Sequence, residues 1–248
     1  MTERRDKALH AASFDMVAAV YDASRPSYPQ QAADWLVPSS AVHVVDIGAG
    51  TGKFTRLLSD QRREIVAVDP SPHMLEVLAS ALPDVDVREG TAEQIPLDDD
   101  AVDAVTCAQA WHWVDSDRAS REVGRVLRPG GTLGLVWNLR DERVDWVREL
   151  GIAMHADGDQ FTDGVTAPDV REPFGAPDRV QFEWAAEYSA EGLLDLVRSR
   201  SYYAVMSPDD QRDTLAAVRE LIQTHPQIVD REKIALPYVT VCFRYRRP

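Results

Sequence analysis

Over residues 42–137, apolar runs rich in β-branched side chains alternate with segments of helical period. Apolar runs that alternate with helices are typical of a parallel sheet with helices on its faces. This alternation therefore predicts an α/β fold. The predicted strands are Val42–Ile47, Glu64–Asp69, Val85–Glu89, Val102–Ala108 and Thr132–Trp137.

After Trp137 the alternation changes character, and helices surround two later strands, Arg179–Ala185 and Ile234–Tyr245. RPGG at residues 128–131 predicts the end of a helix, because proline and glycine stop helices and turn the chain. A stretch rich in Asp, Gly and Pro, Ala156–Pro177, predicts an irregular loop. Helices are predicted at Phe14–Tyr21, Gln31–Leu36, Lys53–Ser59, Pro72–Ala81, Ser116–Val126, Val144–Met154, Glu191–Tyr203 and Pro208–Gln223.

The chain of 248 residues is acidic, since 27 Lys and Arg stand against 41 Asp and Glu, a net charge of −14. A field of this sign repels phosphate backbones and anionic lipid, so neither nucleic acid nor a membrane is expected as a partner. A local basic pocket for a small anion stays compatible with it. The sequence shows no signal peptide and no apolar run of about 18 residues, which favours a cytoplasmic location. A monomer or a homodimer is expected.

The two cysteines, Cys107 and Cys242, lie far apart and belong to no paired metal-ligand spacing. Both lie in apolar runs that are predicted as strands. We therefore expect buried, unreactive thiols and no bound metal.

The first predicted strand ends in a glycine-rich turn, DIGAGTG at residues 46–52. Without side chains, such a turn lets a ligand lie against the backbone. The dinucleotide fingerprint requires the spacing G-x-G-x-x-G, and the spacing G-x-G-x-G found here is one residue short. A P-loop would require glycine at Ile47 and a hydroxyl residue at Phe54. Neither phosphate-binding motif is therefore present.

Asp69 ends the second predicted strand, 19 residues after Gly50. A carboxylate at this point can accept hydrogen bonds from both hydroxyls of a ribose. That role exists for NAD and for any other adenosine cofactor, so Asp69 alone does not choose between them. An Asx turn before Pro70 is the structural alternative.

The ordered set of motifs resembles the class I S-adenosylmethionine-dependent methyltransferases that act on small molecules. The set comprises DIGAGTG, Val68-Asp69, GTAEQ at 90–94, the strand at 103–108 leading to WHW at 111–113, and LRPGGT at 127–132. YDASRPSYP at 21–29 and LPYVT at 236–240 look like segments of methyltransferases related to trans-aconitate methyltransferase. The resemblance implies a Rossmann-like, seven-stranded, mostly parallel sheet with helices on both faces, an antiparallel last strand and a helical cap over the C-terminal strand ends.

The resemblance also implies one methyltransferase domain over residues 1–248. Residues 1–40 would form an N-terminal helical lid, residues 41–140 the cofactor-binding core, and residues 141–248 the acceptor-side insertion and closing strands. For Tyr21 the alternative to a lid is an anchor of its helix, and for Arg25 it is a solvated loop position.

S-adenosylmethionine is the cofactor that the resemblance implies. Asp46 and the turn glycines would line its methionine moiety, Asp69 its ribose, and residues 91–93 its adenine. Asp46 as a helix cap and Glu93 in an exposed loop are the structural alternatives. The residues implied in cofactor binding are Tyr21, Arg25, Asp46, Gly48, Gly50, Asp69, Pro70, Thr91, Ala92, Glu93, Ala108 and Gln109.

The WHW segment follows the fourth strand, at the edge where open α/β sheets bind ligands. Aromatic faces favour a sulfonium cation, and a histidine there would act as a general base or hydrogen-bond donor. Core packing and a structural histidine are the alternatives. A helix carrying Arg198, Arg200, Tyr202 and Tyr203 offers further polar groups, although most such residues lie on surfaces. The acceptor-side candidates are His112 as the catalytic residue and Trp111, Trp113, Asn138 and Arg140 in substrate binding, the last two for an anionic substrate.

A methyl group on a sulfonium is already activated, so the protein mainly aligns the acceptor and excludes water. The expected activity is methyl transfer to an oxygen, carboxylate or hydroxyl, of a small molecule, with nitrogen or carbon less favoured. A general base is required only when the acceptor must lose a proton, as an alcohol must. The alternatives are a catalytically silent S-adenosylmethionine-binding or regulatory protein and, against the glycine spacing, an NAD-dependent dehydrogenase.

Overall fold

The computed structural model describes residues 25–59, 62–154, 160–161 and 166–248, the pair 160–161 by its backbone alone. The chain divides into two compact units. The sheet unit comprises residues 27–137, 166–182 and 240–248, and the helical unit comprises residues 1–26, 138–165 and 183–239. Tyr21 and the helix predicted at Phe14–Tyr21 lie outside the described residues. The division into lid, core and insertion stays a prediction.

The strands form one sheet in the order β3-β2-β1-β4-β5-β8-β7, and the short β6 pairs with β5. Strands β1 to β5 run parallel to one another, and the last strand is antiparallel. This confirms the Rossmann-like, seven-stranded sheet that was predicted. The strands are β1 His43–Ile47, β2 Glu64–Asp69, β3 Asp86–Glu89, β4 Val102–Ala108, β5 Leu127–Asp141, β6 Gln160–Phe161, β7 Asp178–Tyr188 and β8 Ile234–Arg246.

Four of the eight α-helices in the described ranges begin after a residue whose side chain accepts from an amide of the first turn. Ser71 caps one helix by accepting from the amide of Met74, and Asp115 caps another by accepting from the amide of Arg118. The helices are α1 Gln30–Leu36, α2 Thr55–Leu58, α3 Pro72–Ala81, α4 Ser116–Val126, α5 Asp145–Ala153, α6 Ala190–Arg198, α7 Ser201–Ala204 and α8 Pro208–Thr224, with a 3-10 turn at Trp111–Trp113.

The prediction for residues 128–131 was partly wrong. The helix ends at Val126 as expected, but RPGG is part of β5 rather than a turn before it. The amide of Gly130 donates to the carbonyl of Arg247 at 3.0 Å, and the amide of Arg247 donates to the carbonyl of Gly131 at 2.9 Å. Pairing with a segment more than 100 residues away holds this stretch extended, which local sequence does not reveal.

The single helix predicted at Glu191–Tyr203 is divided into α6 and α7. Arg200, between them, has an extended backbone with φ −80° and ψ 136°. The hydroxyl of Ser199 donates to the carbonyl of Leu196, and the carbonyl of Ser199 accepts from a guanidinium nitrogen of Arg25 at 3.3 Å. A tertiary contact thus uses a carbonyl that a continuous helix would have bonded internally.

Each unit has its own apolar core. In the sheet unit Leu36, Val44, Phe54 and Leu78 pack together, and in the helical unit Trp146 belongs to a second cluster with residues of α6, α8 and β8. Burying each large apolar side chain contributes about 1.5–3 kcal/mol relative to an exposed one. None of the helices in the described ranges has the length and apolar content that crossing a bilayer requires.

Candidate functional site

The glycine-rich turn follows β1 at the carboxyl end of the parallel strands. Gly48, Gly50 and Gly52 have φ values of 63°, 54° and 85°, which residues with a Cβ rarely adopt. The amide of Ala49 donates to the carbonyl of Val68 at 3.2 Å, so the turn is attached to the end of β2.

The three glycines are required for different reasons. A Cβ at Gly48 would lie 2.7 Å from the Cβ of Ala110, and one at Gly52 would lie 2.8 Å from the Leu78 side chain. A Cβ at Gly50 would meet no atom of the described residues within 4 Å, its chain neighbours aside. Packing within the protein therefore explains Gly48 and Gly52, whereas Gly50 faces space that a ligand can occupy.

Asp46 lies beneath this turn and is only 1% exposed. Its two carboxylate oxygens accept hydrogen bonds from the hydroxyls of Thr55 at 2.6 Å and Thr106 at 2.7 Å. Burial raises the pKa of Asp46 to about 6, and the two hydroxyl hydrogen bonds partly oppose that shift. The carboxylate joins the start of α2 to β4, so Asp46 supports the turn from below; direct contact with the cofactor stays a prediction.

Asp69 joins the turn to the end of β2. One carboxylate oxygen accepts from the amide of Gly50 at 2.9 Å, and the other accepts from the amide of Ser71 at 2.9 Å. The Asx turn is therefore present. It does not use the full hydrogen-bonding capacity of the carboxylate, because each oxygen can accept more than one hydrogen bond. Pro70 is exposed beside it.

Residues 91–93 follow β3 in a short loop close to Asp69. The amide of Gly90 donates to the carbonyl of Asp69 at 3.2 Å, and Thr91 and Gln94 bond to each other through their backbones. The Glu93 carboxylate accepts from the amide of Asp115 at 2.8 Å, which fixes the Glu93 side chain against the start of α4. Ala92 is 8% exposed.

Ala108 ends β4, and Gln109 follows it in the left-handed region with φ 56°. The amide of Gln109 donates to the carbonyl of Val136 at 2.9 Å, so this corner is held by β5. Trp111 is 2% exposed, and its indole N–H donates to the carbonyl of Asp169 at 2.9 Å. A buried ring with its N–H engaged leaves little surface for a substrate, so the geometry favours the packing alternative for Trp111.

His112 and Trp113 are the exposed members of the WHW segment. Their ring centroids lie 4.7 Å apart, and Trp113 is 39% exposed, which is unusual for so large an apolar side chain. The pair thus offers an aromatic surface beyond the end of β4. Roles in substrate binding and in proton transfer stay predictions.

The sheet unit brings together the predicted residues Asp46, Gly48, Gly50, Asp69 and those of the 91–93 and 108–109 segments. Asn138, Arg140 and Arg25 belong to the helical unit. There Arg140 is fully buried, with one guanidinium nitrogen 4.0 Å from a carboxylate oxygen of Glu142. Desolvation raises the pKa of Glu142 above its usual range.

Two arginines of the helix predicted at Glu191–Tyr203, Arg198 and Arg200, differ in environment. Arg198 pairs with Glu191 and Asp195 on the surface of α6, as its structural alternative predicted. Arg200 is only 4% exposed, and both Arg200 and Arg25 act electrostatically on the hydroxyl of Tyr188. Desolvation raises the pKa of Tyr188 above its usual range.

Tyr238 completes this group within the helical unit. The Tyr238 hydroxyl lies close enough to the Tyr188 hydroxyl to contribute to the raised pKa of Tyr188. The two hydroxyls do not meet the geometry of a hydrogen bond. The Tyr238 ring stacks on Trp184 at 5.4 Å. Two guanidinium groups and the Tyr238 hydroxyl therefore act on the Tyr188 hydroxyl within the helical unit.

Among the described residues, Asp145, Glu149 and His225 place potential metal-ligand atoms within 4.8 Å of one another. Nδ1 of His225 accepts a hydrogen bond from the amide of Gln227 at 3.2 Å. In a neutral ring the proton then lies on Nε2, the nitrogen that faces Glu149 at 3.9 Å. This tautomer has no lone pair to offer a metal at Nε2.

Sequence reasoning missed Thr55 and Thr106, the two donors that hold Asp46. Thr106 lies opposite Asp46 in the parallel register of β1 and β4. The sequence pattern of β4 does not indicate this contact, because only the pairing of β1 with β4 brings the Thr106 hydroxyl to the Asp46 carboxylate.

Comparisons with known proteins agree with this geometry. A family model described as a methyltransferase domain matches residues 45–135. An uncharacterized methyltransferase of Mycobacterium tuberculosis is 53% identical over 241 residues, which is 97% of each chain. An uncharacterized methyltransferase-like protein of Schizosaccharomyces pombe is 35% identical over 93% of this chain and 94% of its own.

Solved structures share the fold at lower identity. A protein of Anaeromyxobacter dehalogenans, described provisionally as a type II methyltransferase, has a TM-score of 0.67 with 22% identity over 90% of this chain and 97% of its own. The [4+2]-cyclase SpnF has a TM-score of 0.54 with 19% identity over 95% of this chain and 94% of its own. At such identities the likeness shows the fold alone.

Proposed function

This chain belongs to the S-adenosylmethionine-dependent methyltransferases, and we propose that it transfers the methyl group to an oxygen, carboxylate or hydroxyl, of a small molecule. The observation that carries the cofactor part of the proposal is the geometry of Gly50, whose amide donates to Asp69 at 2.9 Å and at which a Cβ would meet no described atom within 4 Å, chain neighbours aside. That arrangement suits a ligand with a ribose and an extended chain lying against the backbone.

The residues of the turn fit this cofactor. When bound, S-adenosylmethionine supplies a methyl group on a positively charged sulfur, and that group needs no further activation. Asp69 would accept the ribose hydroxyls with its remaining lone pairs, the backbone at Gly50 would contact the methionine moiety, and residues 91–93 would cover the adenine. These residues bind and orient, so the rate advantage lies in alignment and in the exclusion of water.

The group formed by Arg25, Arg200, Tyr188 and Tyr238 supports an acidic acceptor. Guanidinium groups bind carboxylates through paired, charge-assisted hydrogen bonds, and phenol hydroxyls add further donors. Burial strengthens such interactions because little water competes. A carboxylate acceptor needs no general base, since it already carries the negative charge that attacks the methyl group.

A hydroxyl acceptor would require a base, and His112 is the candidate for that role. Its exposure beyond the end of β4 leaves the ring accessible to a substrate. The two acceptor types differ in their pH dependence, because only the hydroxyl reaction should slow as the base becomes protonated.

The test combines cofactor binding with turnover. Isothermal titration calorimetry with S-adenosylmethionine and S-adenosylhomocysteine should show binding to the wild type. Asp69→Ala should weaken it at least about 100-fold, because it removes two hydrogen bonds to a charged group, each of which contributes about 1.5–3 kcal/mol. A panel of small carboxylates and alcohols should then yield methyl esters or ethers, detected by mass spectrometry.

Asp103→Ala is the matched control. Asp103 also accepts two backbone amide hydrogen bonds, from Val42 and His43, but at the start of β4. This variant should lose stability and keep cofactor affinity within about threefold. Equal losses in both variants would contradict the role of Asp69. Tight cofactor binding without turnover of any acceptor would favour the silent-binding alternative.

A further inference from the structure

We propose that Arg125 is a positioning residue for the adenine ring of S-adenosylmethionine, acting through residues 90–99, here named the adenine loop. The proposal rests on the proposed function, because it takes the adenine to lie beside residues 91–93. Arg125 is in the last turn of α4 and reaches the loop with its side chain.

The adenine loop has little internal support. It contains one antiparallel bridge, between Thr91 and Gln94, and the amide of Gly90 attaches its start to Asp69. Close packing around Gly90 leaves no room for a side chain, since a Cβ there would lie 2.9 Å from Pro96. A loop of this kind needs outside contacts to keep one conformation.

Arg125 supplies such contacts through its two terminal nitrogens. Nη2 donates to the carbonyl of Ile95 at 3.1 Å, and Nη1 donates to the carbonyl of Leu97 at 2.9 Å and to the carboxylate of Asp99 at 2.8 Å. Three successive parts of the loop are therefore bound by one planar guanidinium group.

Glu122 holds the guanidinium in place, one turn earlier on α4. Its two carboxylate oxygens accept from Nε of Arg125 at 2.9 Å and from Nη2 at 2.7 Å. One of those oxygens also accepts from the amide of Ile95 at 2.8 Å, so both backbone polar groups of Ile95 are bound by this pair. The ion pair lowers the pKa of Glu122 and raises that of Arg125, so both stay charged at neutral pH.

The side chain of Ile95 adds a third restraint, because it is only 2% exposed. The backbone and the side chain of Ile95 together fix this residue with respect to α4. The bridge between Thr91 and Gln94 then restrains residues 91–93. Hydrogen bonds weaken steeply with distance and angle, so recognition of a base edge by loop backbone requires such restraint.

The consequence for ligand binding is selectivity for adenine. Adenine presents an exocyclic amine donor and a ring-nitrogen acceptor, whereas hypoxanthine presents a carbonyl acceptor and a ring N–H donor at the same positions. A rigid loop can match only one of these patterns, whereas a loose loop can adapt to either. Arg125 should therefore strengthen the binding of ligands that carry adenine and have little effect on ligands that carry hypoxanthine.

Calorimetry of Arg125→Gln with S-adenosylhomocysteine and with its deaminated analogue, S-inosylhomocysteine, tests the inference. The wild type should prefer the adenine ligand at least tenfold. In Arg125→Gln the affinity for S-adenosylhomocysteine should fall at least tenfold while that for S-inosylhomocysteine changes less than threefold, so that the preference disappears.

Arg128→Gln is the matched control. Arg128 also donates to a carboxylate, that of Asp103 at 2.5 Å, and to a backbone carbonyl, that of Asp100 at 3.1 Å. Both acceptors lie outside the adenine loop. This variant should keep the affinities for both ligands within twofold and retain the wild-type preference.

Arg125→Lys covers the case in which the glutamine variant does not fold. A lysine keeps the charge near Glu122 but cannot reach the carbonyls of Ile95 and Leu97 together, so an intermediate preference is expected. An unchanged preference for the adenine ligand in a folded Arg125 variant, or an equal loss of both affinities, would overturn the positioning role of Arg125. Neither outcome would contradict the proposed function. A wild type that binds both ligands equally would overturn the placement of the adenine, and the inference with it.

Discussion

Asp46 and Asp69 each end a parallel strand, yet their surroundings differ in kind. Asp46 is bound by two threonine hydroxyls in a dry site, where the charged form is costly, and its pKa rises to about 6. Asp69, which is 8% exposed, is bound by two backbone amides. A substitution at Asp46 therefore tests the support of the turn from below, whereas one at Asp69 removes a link between the turn and β2 together with the predicted ribose contact.

The raised pKa of Asp46 predicts a pH-dependent contribution to stability. Because the folded chain binds this proton more tightly than the unfolded chain, the free energy of unfolding falls as pH rises from the unfolded value of 3.8 through about 6. Asp46→Asn does not titrate. The stability of the wild type relative to this variant should therefore decrease by about 2 kcal/mol between pH 4.5 and 7.5, measured by urea denaturation.

Asp84→Asn removes a charge of the same sign from an exposed position and serves as the control. Its stability relative to the wild type should vary little over this pH range. A pH-independent difference between Asp46→Asn and the wild type would show that Asp46 is ionised in the folded protein throughout the range.

Among elements, the turn between β1 and α2 shows how one motif serves two purposes. Gly48 and Gly52 let the chain pack closely against Ala110, two residues after β4, and against α3, whereas a Cβ at Gly50 would meet no described atom within 4 Å, chain neighbours aside. The positive φ values are common to all three, so the backbone conformation alone does not identify which glycine is free of close packing.

Gly50→Ala and Gly130→Ala separate strain from ligand contact. Both glycines have positive φ, 54° and 79°, and a Cβ at either would meet no described atom within 4 Å, chain neighbours aside. Each substitution should cost about 1–2 kcal/mol of stability, measured by chemical denaturation. Only Gly50→Ala should weaken S-adenosylhomocysteine binding, at least tenfold in calorimetry, because its methyl group enters the space next to the turn. Unaltered affinity in Gly50→Ala would place the ligand elsewhere.

Across the whole molecule, similarity to a methyltransferase extends over 97% of the chain, well beyond residues 45–135 that the family model covers. The residues of the helical unit therefore lie within the same region of similarity as the turn. The net charge of −14 makes small molecules more suitable acceptors than polyanions.

Cofactor binding should stabilise the protein as a whole. S-adenosylhomocysteine at 100 times its dissociation constant stabilises the folded state by about 2.7 kcal/mol. For a chain of 248 residues, this corresponds to a rise in Tm of about 5–10 °C, measured by differential scanning fluorimetry. Asp69→Ala at the same ligand concentration should show little of this rise. The absence of any shift in the wild type would contradict binding to the folded state.

Much of the sheet unit could be predicted from sequence, and the reasons are local. The strand Glu64–Asp69 and the helices Pro72–Ala81 and Ser116–Val126 have the predicted bounds, because apolar patterning and capping residues act within a few positions. The extension of β5 to Leu127 and the break at Arg200 could not be predicted, since contacts with Arg247 and Arg25 decide them.

The sequence alone determined the fold class, the cofactor family and the candidate turn, because glycine spacing and hydrophobic period act along the chain. Only the tertiary structure decided which glycine faces open space, which threonines hold Asp46, and how Arg125 holds the adenine loop. Each of these depends on groups that are distant in sequence and are brought together by strand register or helix packing. Spacing along the chain carries no record of such distances.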